Sequence, residues 1–218
     1  MLTDRPVVLL WGMGKAQETR IRILEAAVRM ASGNGFSGVS LAPLAADCDM
    51  SKSGLFAHFS SKEALQLAML DFAAERFRET VVVPTLRSRR GLKRLITAFE
   101  LSLDWAERAE LPGGCLFYAA AAELDDQPGP VRDRLVELYQ QWFESLGRIV
   151  NGAIEAGELA PRVNTAQFVA DLWGILLMHR VAGRLLRDPA ADRKARASFR
   201  RLLKNVRTEP SALRARLR

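Results

Sequence analysis

Hydroxyl and basic side chains near position 52 are arranged in a pattern suited to contacting a nucleic acid. Ser51 is suited to cap a short helix whose inner face carries Leu55 and Phe59. Lys52 and Ser53 then lie in the first turn, away from that inner face. Hydroxyl and ammonium groups at the start of a helix can hydrogen-bond phosphate oxygens or base edges. The segment therefore predicts a surface that binds DNA.

These side chains need a second helix to position them, and residues 40–65 supply one. Ser40 is suited to cap a preceding short helix with Leu44 and Cys48 on its buried stripe. Asp49 falls where the chain must reverse, and Asp tolerates the left-handed conformation better than most residues. A helix, a tight turn and a second helix form the unit that places the second helix in a DNA major groove.

Helical periodicity continues through the later segments, and no strand pattern is found, so we expect an all-α fold of about nine helices. The expected divisions are a loosely ordered N-terminus (1–14), a helix-turn-helix DNA-binding domain (15–62), a helical effector-binding and dimerisation domain (63–206) and a basic C-terminal tail (207–218). The helix 63–82 links the two domains, and Pro84 is expected to end it.

The net charge of +7 does not by itself indicate a nucleic-acid partner, because of where the charge lies. Residues 1–62 carry a net charge of only +2, whereas residues 193–218 carry ten Lys or Arg against one Glu. That excess is either a solvated last helix with its tail or a secondary contact with DNA or a partner.

The composition also limits the function classes. Two cysteines argue against a disulfide scaffold and suit a reducing cytoplasm. The only histidines are His58 and His179, and neither has the Glu three residues before it that a di-metal helical bundle needs. We expect no enzyme activity, metal or cofactor. The apolar run 168–186 is interrupted by charged residues, so no membrane span is expected.

Two segments give the sequence a family resemblance. RILEAAVRMASGNGFSGVSL (22–41) and LAADCDMSKSGLFAHFSSKEAL (44–65), with the helix order after them, resemble the TetR/AcrR family of transcriptional regulators. The resemblance implies a homodimeric regulator, most often a repressor released from a pseudo-palindromic operator by a small ligand. An activator, or a member without a ligand, fits the same residues. The rival class is a helical-bundle interaction or lipid-carrier protein without sequence-specific DNA binding.

The resemblance also implies roles for residues at matching positions of the head. The expected DNA contacts are Ser40, Ser51, Lys52, Ser53, Gly54, Phe56, His58 and Lys62. His58 and Lys62 would contact phosphates, and Gly54 would let the helix approach DNA closely. Phe56 stands where the family usually has a Tyr that donates to a phosphate. Phe56 must therefore pack on a sugar or a thymine methyl, or one contact is missing.

A small apolar or amphipathic effector is implied for the larger domain. The candidate lining residues are Phe99, Leu103, Cys115, Phe117, Tyr118, Trp142, Trp173, Leu177, Met178 and His179, although aromatic residues at this spacing also suit an ordinary core. Cys115 follows two glycines at a helix start, where the helix dipole can lower a thiol pKa. Two interpretations of Cys115 are therefore open: it senses electrophiles, or it is a small buried apolar residue.

The last two helices are expected to form the dimer. The segment 168–186 is apolar nearly all round, and Phe199, Leu202, Leu203 and Val206 form an apolar edge on the last helix. Two such helix pairs would build a four-helix interface on a two-fold axis. The two recognition helices would then lie about 34–36 Å apart, one turn of DNA.

Overall fold

The computed structural model describes residues 14–208, apart from the side chains of 106–108. The expectations for the extreme N-terminus and for most of the basic tail lie outside the described residues. The helices are α1 (Lys15–Asn34), α2 (Leu41–Asp47), α3 (Lys52–His58), α4 (Lys62–Phe77), α5 (Val83–Arg87), α6 (Leu92–Arg108), α7 (Leu116–Leu124), α8 (Pro130–Glu155), α9 (Thr165–Arg180) and α10 (Ala191–Val206). The described residues form no strand beyond one isolated bridge between Leu159 and Arg207, which confirms the all-α class.

Helix starts follow the sequence signals with one exception. The side chains of Ser51, Ser61 and Asn164 each accept a hydrogen bond from the backbone N–H three residues ahead, as N-caps do. Ser40 occupies the N-cap position of α2 in extended backbone, but its hydroxyl makes no capping bond. The expectation that this hydroxyl caps α2 is therefore wrong, and the side chain stays exposed.

Pro84 does not end the fourth helix, contrary to the sequence expectation. The chain passes from α4 through a π-helical segment, Arg78–Val82, directly into α5, and every residue at the junctions keeps right-handed helical angles. Pro84 lies at the start of α5, where the N–H of Val83 bonds to the carbonyl of Arg78. The wider π turn accommodates a residue that lacks an N–H and would clash with a regular α-helical turn. If α4 and α5 are counted as one, the described chain has nine helices.

One apolar interior connects the small N-terminal head (α1–α3) with the larger body (α4–α10). Buried residues run without a break in contact from Ile23 of α1 to Leu203 of α10. Phe99 of α6 stacks on Phe199 of α10 with ring centroids 4.0 Å apart. The expected apolar edge of α10 is thus partly used inside the protomer, since Phe199 and Leu203 are buried and Leu202 and Val206 are half-buried.

Among residues 14–208, no helix combines the length and apolarity that a bilayer span requires.

Candidate nucleic-acid interface and effector region

The second helix of the head, α3, is held against the core by its inner face. Leu55 is fully buried and Phe59, the residue after the helix, is 2% exposed. The Ser51 hydroxyl accepts from the N–H of Gly54 at 3.0 Å and lies 3.0 Å from the Ser53 hydroxyl. The helix is therefore formed, and its N-terminus is fixed, by contacts within the chain itself.

The outer face of α3 is open to solvent. Lys52, Ser53 and Phe56 are exposed, and His58 at the end of the helix is half-buried. The face combines an ammonium group, two hydroxyls including that of Ser51, and an aromatic ring. Such a face offers hydrogen-bond donors to phosphates and an apolar surface to sugars or thymine methyls.

The reversal between α2 and α3 has the geometry expected for it. Asp49 has a φ of 54°, in the left-handed region. The next N–H, of Met50, bonds back to the carbonyl of Ala45 at 2.9 Å and closes the end of α2. Asp49 therefore adopts the left-handed conformation expected of it, and the reversal forms.

Two arginines of α1 fix the ends of α2 and α3, a role that the sequence analysis missed. Arg20 donates to the carbonyl of His58 at 2.7 Å, and its guanidinium lies 4.3 Å from the centre of the Phe59 ring. Arg22 donates to the carbonyl of Cys48 at 3.3 Å. Positive charge at helix C-termini is stabilising because the unpaired carbonyls there are partly negative. Nothing in the local spacing identifies these partners, which lie 38 and 26 residues away.

Lys62 lies at the start of α4, next to the loop after α1. Its ammonium donates to the carbonyl of Ser37 at 2.8 Å and remains exposed. A lysine has three donors, so two remain for a phosphate. Two further candidates lie at the surface of the head: Gly54 is half-buried and Ser40 is exposed. DNA contact by these residues stays a prediction.

The loop after α1 is bound to the body by a carboxylate. Glu123 of α7 accepts hydrogen bonds from the backbone N–H groups of Phe36, at 2.7 Å, and Ser37, at 2.6 Å. The same Ser37 supplies the carbonyl that holds Lys62. A residue of the body is therefore two hydrogen bonds away from a candidate phosphate contact.

A second connection joins the end of α1 to the turn before α7. The Ser32 hydroxyl donates to the carbonyl of Gly114 at 2.8 Å and accepts from the N–H of Gly113 at 2.9 Å. A Cβ at Gly113 would overlap the backbone carbonyl of Ser32. Gly113 therefore permits a backbone approach that no other residue would allow.

The interior of the body is lined by two groups of aromatic rings. Around Phe77 lie Trp105, Phe117 and Trp142, each edge-on with centroids 4.9 to 6.2 Å apart. Around Trp173 lie Tyr118, Tyr139 and Phe143, with centroids 5.1 to 5.6 Å from it. Burial raises the pKa of the Tyr118 and Tyr139 hydroxyls, so both stay protonated. Trp142 is buried, and Phe117, Tyr118 and Trp173 are half-buried against the core. Ligand contact by these four residues stays a prediction.

Three expected lining residues lie elsewhere. Leu177 is 42% exposed and Met178 55% exposed, on the outer face of α9, so an interior position for them is wrong. His179 does not act as a polar handle inside the body, because its Nε2 lies 2.7 Å from Oδ1 of Asp192 on α10. This pair lowers the pKa of Asp192. Leu103 and Phe99 are buried in the core.

Cys115 is the N-cap of α7, and its thiol is buried. This burial raises the pKa of the thiol. The N–H groups of Phe117 and Tyr118 act in the opposite direction, as the helix-dipole argument predicts, but burial outweighs them. The expected lowering of the Cys115 pKa is therefore wrong. The pKa of Cys48 is likewise raised, with burial as the main cause.

Two clefts open on the surface of the body. One of about 220 Å³ lies between the start of α9 and the end of α10, next to Phe168 and Leu202. The other, of about 260 Å³, lies between α5, the start of α6 and the middle of α8. Trp142 is the one expected ligand-contact residue that borders either of these two clefts.

Comparisons with known proteins agree with this architecture. A family model described as "Bacterial regulatory proteins, tetR family" matches residues 23–69, and one described as "Tetracyclin repressor-like, C-terminal domain" matches residues 91–199. The HTH-type transcriptional regulator UidR of Escherichia coli (strain K12) is 30% identical over 189 residues, which cover 85% of this chain and 89% of UidR.

Solved structures share the fold. A TetR transcriptional regulator from Chloroflexus aurantiacus J-10-FL superposes with a TM-score of 0.80 at 28% identity, over 90% of this chain and 100% of that one. AibR, solved in complex with isovaleryl coenzyme A and operator DNA, superposes with a TM-score of 0.64 at 24% identity, over 81% of this chain and 96% of AibR.

Proposed function

Because this chain belongs to the TetR family of DNA-binding transcriptional regulators, we propose that it is a homodimeric repressor, released from a pseudo-palindromic operator by a small ligand. In this proposal residues 15–62 bind DNA and residues 63–206 bind the ligand and form the dimer. The protein acts in the cytoplasm, where its operator is. The observation that carries the proposal is the preformed α3 with its exposed face of Lys52, Ser53 and Phe56.

The DNA-binding role is supported by how firmly α3 is held. Its N-terminus is capped by Ser51, its inner face is buried through Leu55, and its C-terminus is fixed by Arg20. A recognition helix that is already ordered loses little conformational entropy on binding. We assign base or phosphate contacts to Ser51, Lys52, Ser53, Gly54 and Phe56, and phosphate contacts to Ser40, His58 and Lys62.

The dimer is supported by an exposed apolar face on α9 and on the π-helical segment that follows it, Val181–Leu185. Leu177, Met178, Val181 and Leu185 are between 42% and 77% exposed and recur at helical spacing. Small exposed residues, Ala170 and Gly174, extend the same face toward the start of α9. We assign this face to a second copy of the chain, because a contiguous exposed apolar face on a folded protein is typical of an interaction surface, and a two-fold axis would let two such faces cover each other.

Release by a ligand needs contacts that transmit a change in the body to the head, and two are in place. Glu123 holds the loop after α1, and Ser32 holds the turn before α7. Within the body, Arg180 of α9 contacts the same helix α7, since its guanidinium lies 5.4 Å from the centre of the Tyr118 ring. A shift of α7 would therefore move the heads, and a differential affinity of a few kcal/mol between two spacings suffices for release.

The proposal is tested by measuring sequence-specific DNA binding. In a gel shift at several salt concentrations, the protein should bind DNA from upstream of its own coding sequence more tightly than scrambled DNA of equal length. Its mass in solution should be that of two chains. Equal affinity for both DNAs would contradict the proposal and favour the rival, a helical-bundle interaction or lipid-carrier protein. A reporter fused to the bound promoter separates repressor from activator by the sign of the response.

A further inference from the structure

The cleft between α5, α6 and α8 has the chemistry of a binding site. Its wall combines three arginines with apolar surface from Val82, Trp142 and Ile149. Its volume of about 260 Å³ lies just below the usual range for small-molecule sites, which begins at about 300 Å³. We propose that this cleft binds an amphipathic organic anion, with its carboxylate or phosphate on Arg90, Arg94 and Arg148 and its apolar part against Trp142. The inference rests on the proposed sensing role of the body.

The positive charge of the cleft is not neutralised from within. Arg90 makes no hydrogen bond or ion pair with any described residue. Arg94 donates to the carbonyls of Leu86, at 2.7 Å, and Ser88, at 2.9 Å, neither of which carries a formal charge. Arg148 has a carboxylate within reach only at 3.8 Å, on an exposed residue of its own helix. The residues that line the cleft include no Asp or Glu.

Two polar groups of the wall have no partner. Thr85 is fully buried and Trp142 is 8% exposed. Neither the Thr85 hydroxyl nor the Trp142 indole N–H makes a hydrogen bond within the described chain. A buried polar group without a partner costs about 1–3 kcal/mol, so such groups are rare without a role. Both residues border the basic cleft, so a ligand that enters it is the nearest candidate for the missing partner.

Neither a nearby carboxylate nor DNA bound to the head is placed to neutralise the arginines of the cleft. Glu158, the carboxylate beside Gly91, already accepts from the N–H of Leu92 and lies 3.5 Å from Arg89. Thr85 lies 23 residues along the continuous α4–α5 helix from Lys62. At 1.5 Å per residue that is about 35 Å from the head, too far for DNA bound at α3 to reach.

A ligand here would touch the helix that carries the head. Trp142 packs edge-on against Phe77 of α4 with centroids 4.9 Å apart. Val82, at the end of the π-helical segment, lines the same cleft. π-helical distortions recur at functional sites because they break the regular ladder of hydrogen bonds. The anion would therefore bind where the long helix is least regular.

The test uses three eight-carbon probes in isothermal titration calorimetry. Octanoate and octyl phosphate should bind the intact protein, and uncharged 1-octanol should bind at least about tenfold more weakly. Whichever anion binds more tightly identifies the head group. Failure of both anions to bind, or equal affinity for 1-octanol, would overturn the inference.

Variants locate the site. Arg90→Ala combined with Arg148→Ala should weaken octanoate binding at least about tenfold. Arg87→Ala is the matched control, since Arg87 is an exposed neighbour that does not line the cleft, and it should leave the affinity unchanged. Undiminished binding by the double variant would place the octanoate elsewhere and refute the assignment.

Thr85→Val tests the unpartnered hydroxyl. It should raise the melting temperature of the free protein, because a polar group without a partner is removed, and should weaken octanoate binding. A stabilised variant with unchanged octanoate affinity would exclude the hydroxyl from the site. These measurements need no DNA, so loss of anion binding and loss of operator binding can be told apart.

Discussion

The carboxylate of Glu123, in α7, accepts a hydrogen bond from the backbone N–H of Phe36 at 2.7 Å and so joins the body to the end of the first helix of the head. The two residues are 87 positions apart in the sequence. A charged acceptor shared between two backbone donors is stronger than a neutral one. The relationship gives the body a direct hold on the loop that also positions Lys62.

Glu123→Ala should lower the free energy of unfolding by about 1–3 kcal/mol, because it leaves two backbone N–H groups without their acceptor. Urea denaturation measures the change. Glu123→Gln keeps one carbonyl oxygen and should lose less. Glu137→Ala, which removes only a surface ion pair with Arg134, is the control and should change stability by less than about 1 kcal/mol. If the two alanine variants are equally stable, the connection to Phe36 contributes nothing.

Lys52→Ala and Lys62→Ala should each weaken operator binding and reduce the slope of log K against log salt by about 1, since each removes one phosphate contact. Fluorescence anisotropy at four salt concentrations measures both quantities. Lys93→Ala, which removes an exposed lysine of the body, should change neither. Unaltered slopes for the two head variants would mean that the DNA surface lies elsewhere.

Leu55 and Phe56 are neighbours with opposite expected effects. Leu55→Ala removes a fully buried side chain and should destabilise the head by about 2–5 kcal/mol. Phe56 is 40% exposed, so Phe56→Ala should leave stability within about 0.5 kcal/mol and weaken DNA binding instead. Thermal denaturation and anisotropy separate the two effects. A reversed order would show that α3 presents its other face to the core.

Gly113→Ala and Gly152→Ala should change the free energy of unfolding in opposite directions. A Cβ at Gly113 would overlap the Ser32 carbonyl, so this variant should lose about 1–3 kcal/mol or more of stability. Gly152 lies within α8, and a Cβ added there would point into open space, so alanine should gain up to about 1 kcal/mol from helix propensity. Equilibrium denaturation decides. A neutral Gly113→Ala would show that the head and body can separate at this point.

Cys115 should resist alkylation. Burial raises the pKa of its thiol, so the thiolate fraction at pH 8 is lower than for an exposed cysteine, and it rises only as the pH approaches that raised pKa. Mass spectrometry after N-ethylmaleimide treatment of the folded protein should find Cys115 unmodified, with full modification in denaturant as the control. Rapid modification of the native protein, with loss of DNA binding, would revive the electrophile-sensing hypothesis.

Local patterns in the sequence were sufficient for the class of fold and for the frame of the head. Ser51, Leu55 and Asp49 behave as their types and spacing predict, because caps, apolar stripes and reversals depend on nearest neighbours along the chain. The wrong prediction that Pro84 ends the fourth helix also came from local residue type. A proline predicts a break in a regular α-helix, but a single π turn removes the conflict and cannot be read from the residue type.

Contacts between distant segments could not be predicted. Arg20 and Glu123 carry no local signal for their backbone partners, which are brought to them only by the packing of whole helices. Leu177 and Met178 show the complementary difficulty. On a helix that is apolar nearly all round, periodicity does not distinguish the face that meets the core from the face left outside.

Because the apolar interior runs without a break from Ile23 to Leu203, we expect the head and the body to unfold together. A fragment cut after the third helix would expose the surface that α4 and α7 now cover and should not hold its shape alone. The intact chain should therefore melt in one cooperative step, with a single heat-absorption peak. A conformational change caused by a ligand in the body would then reach the head as a rigid shift between packed helices. It would not require local unfolding of either part.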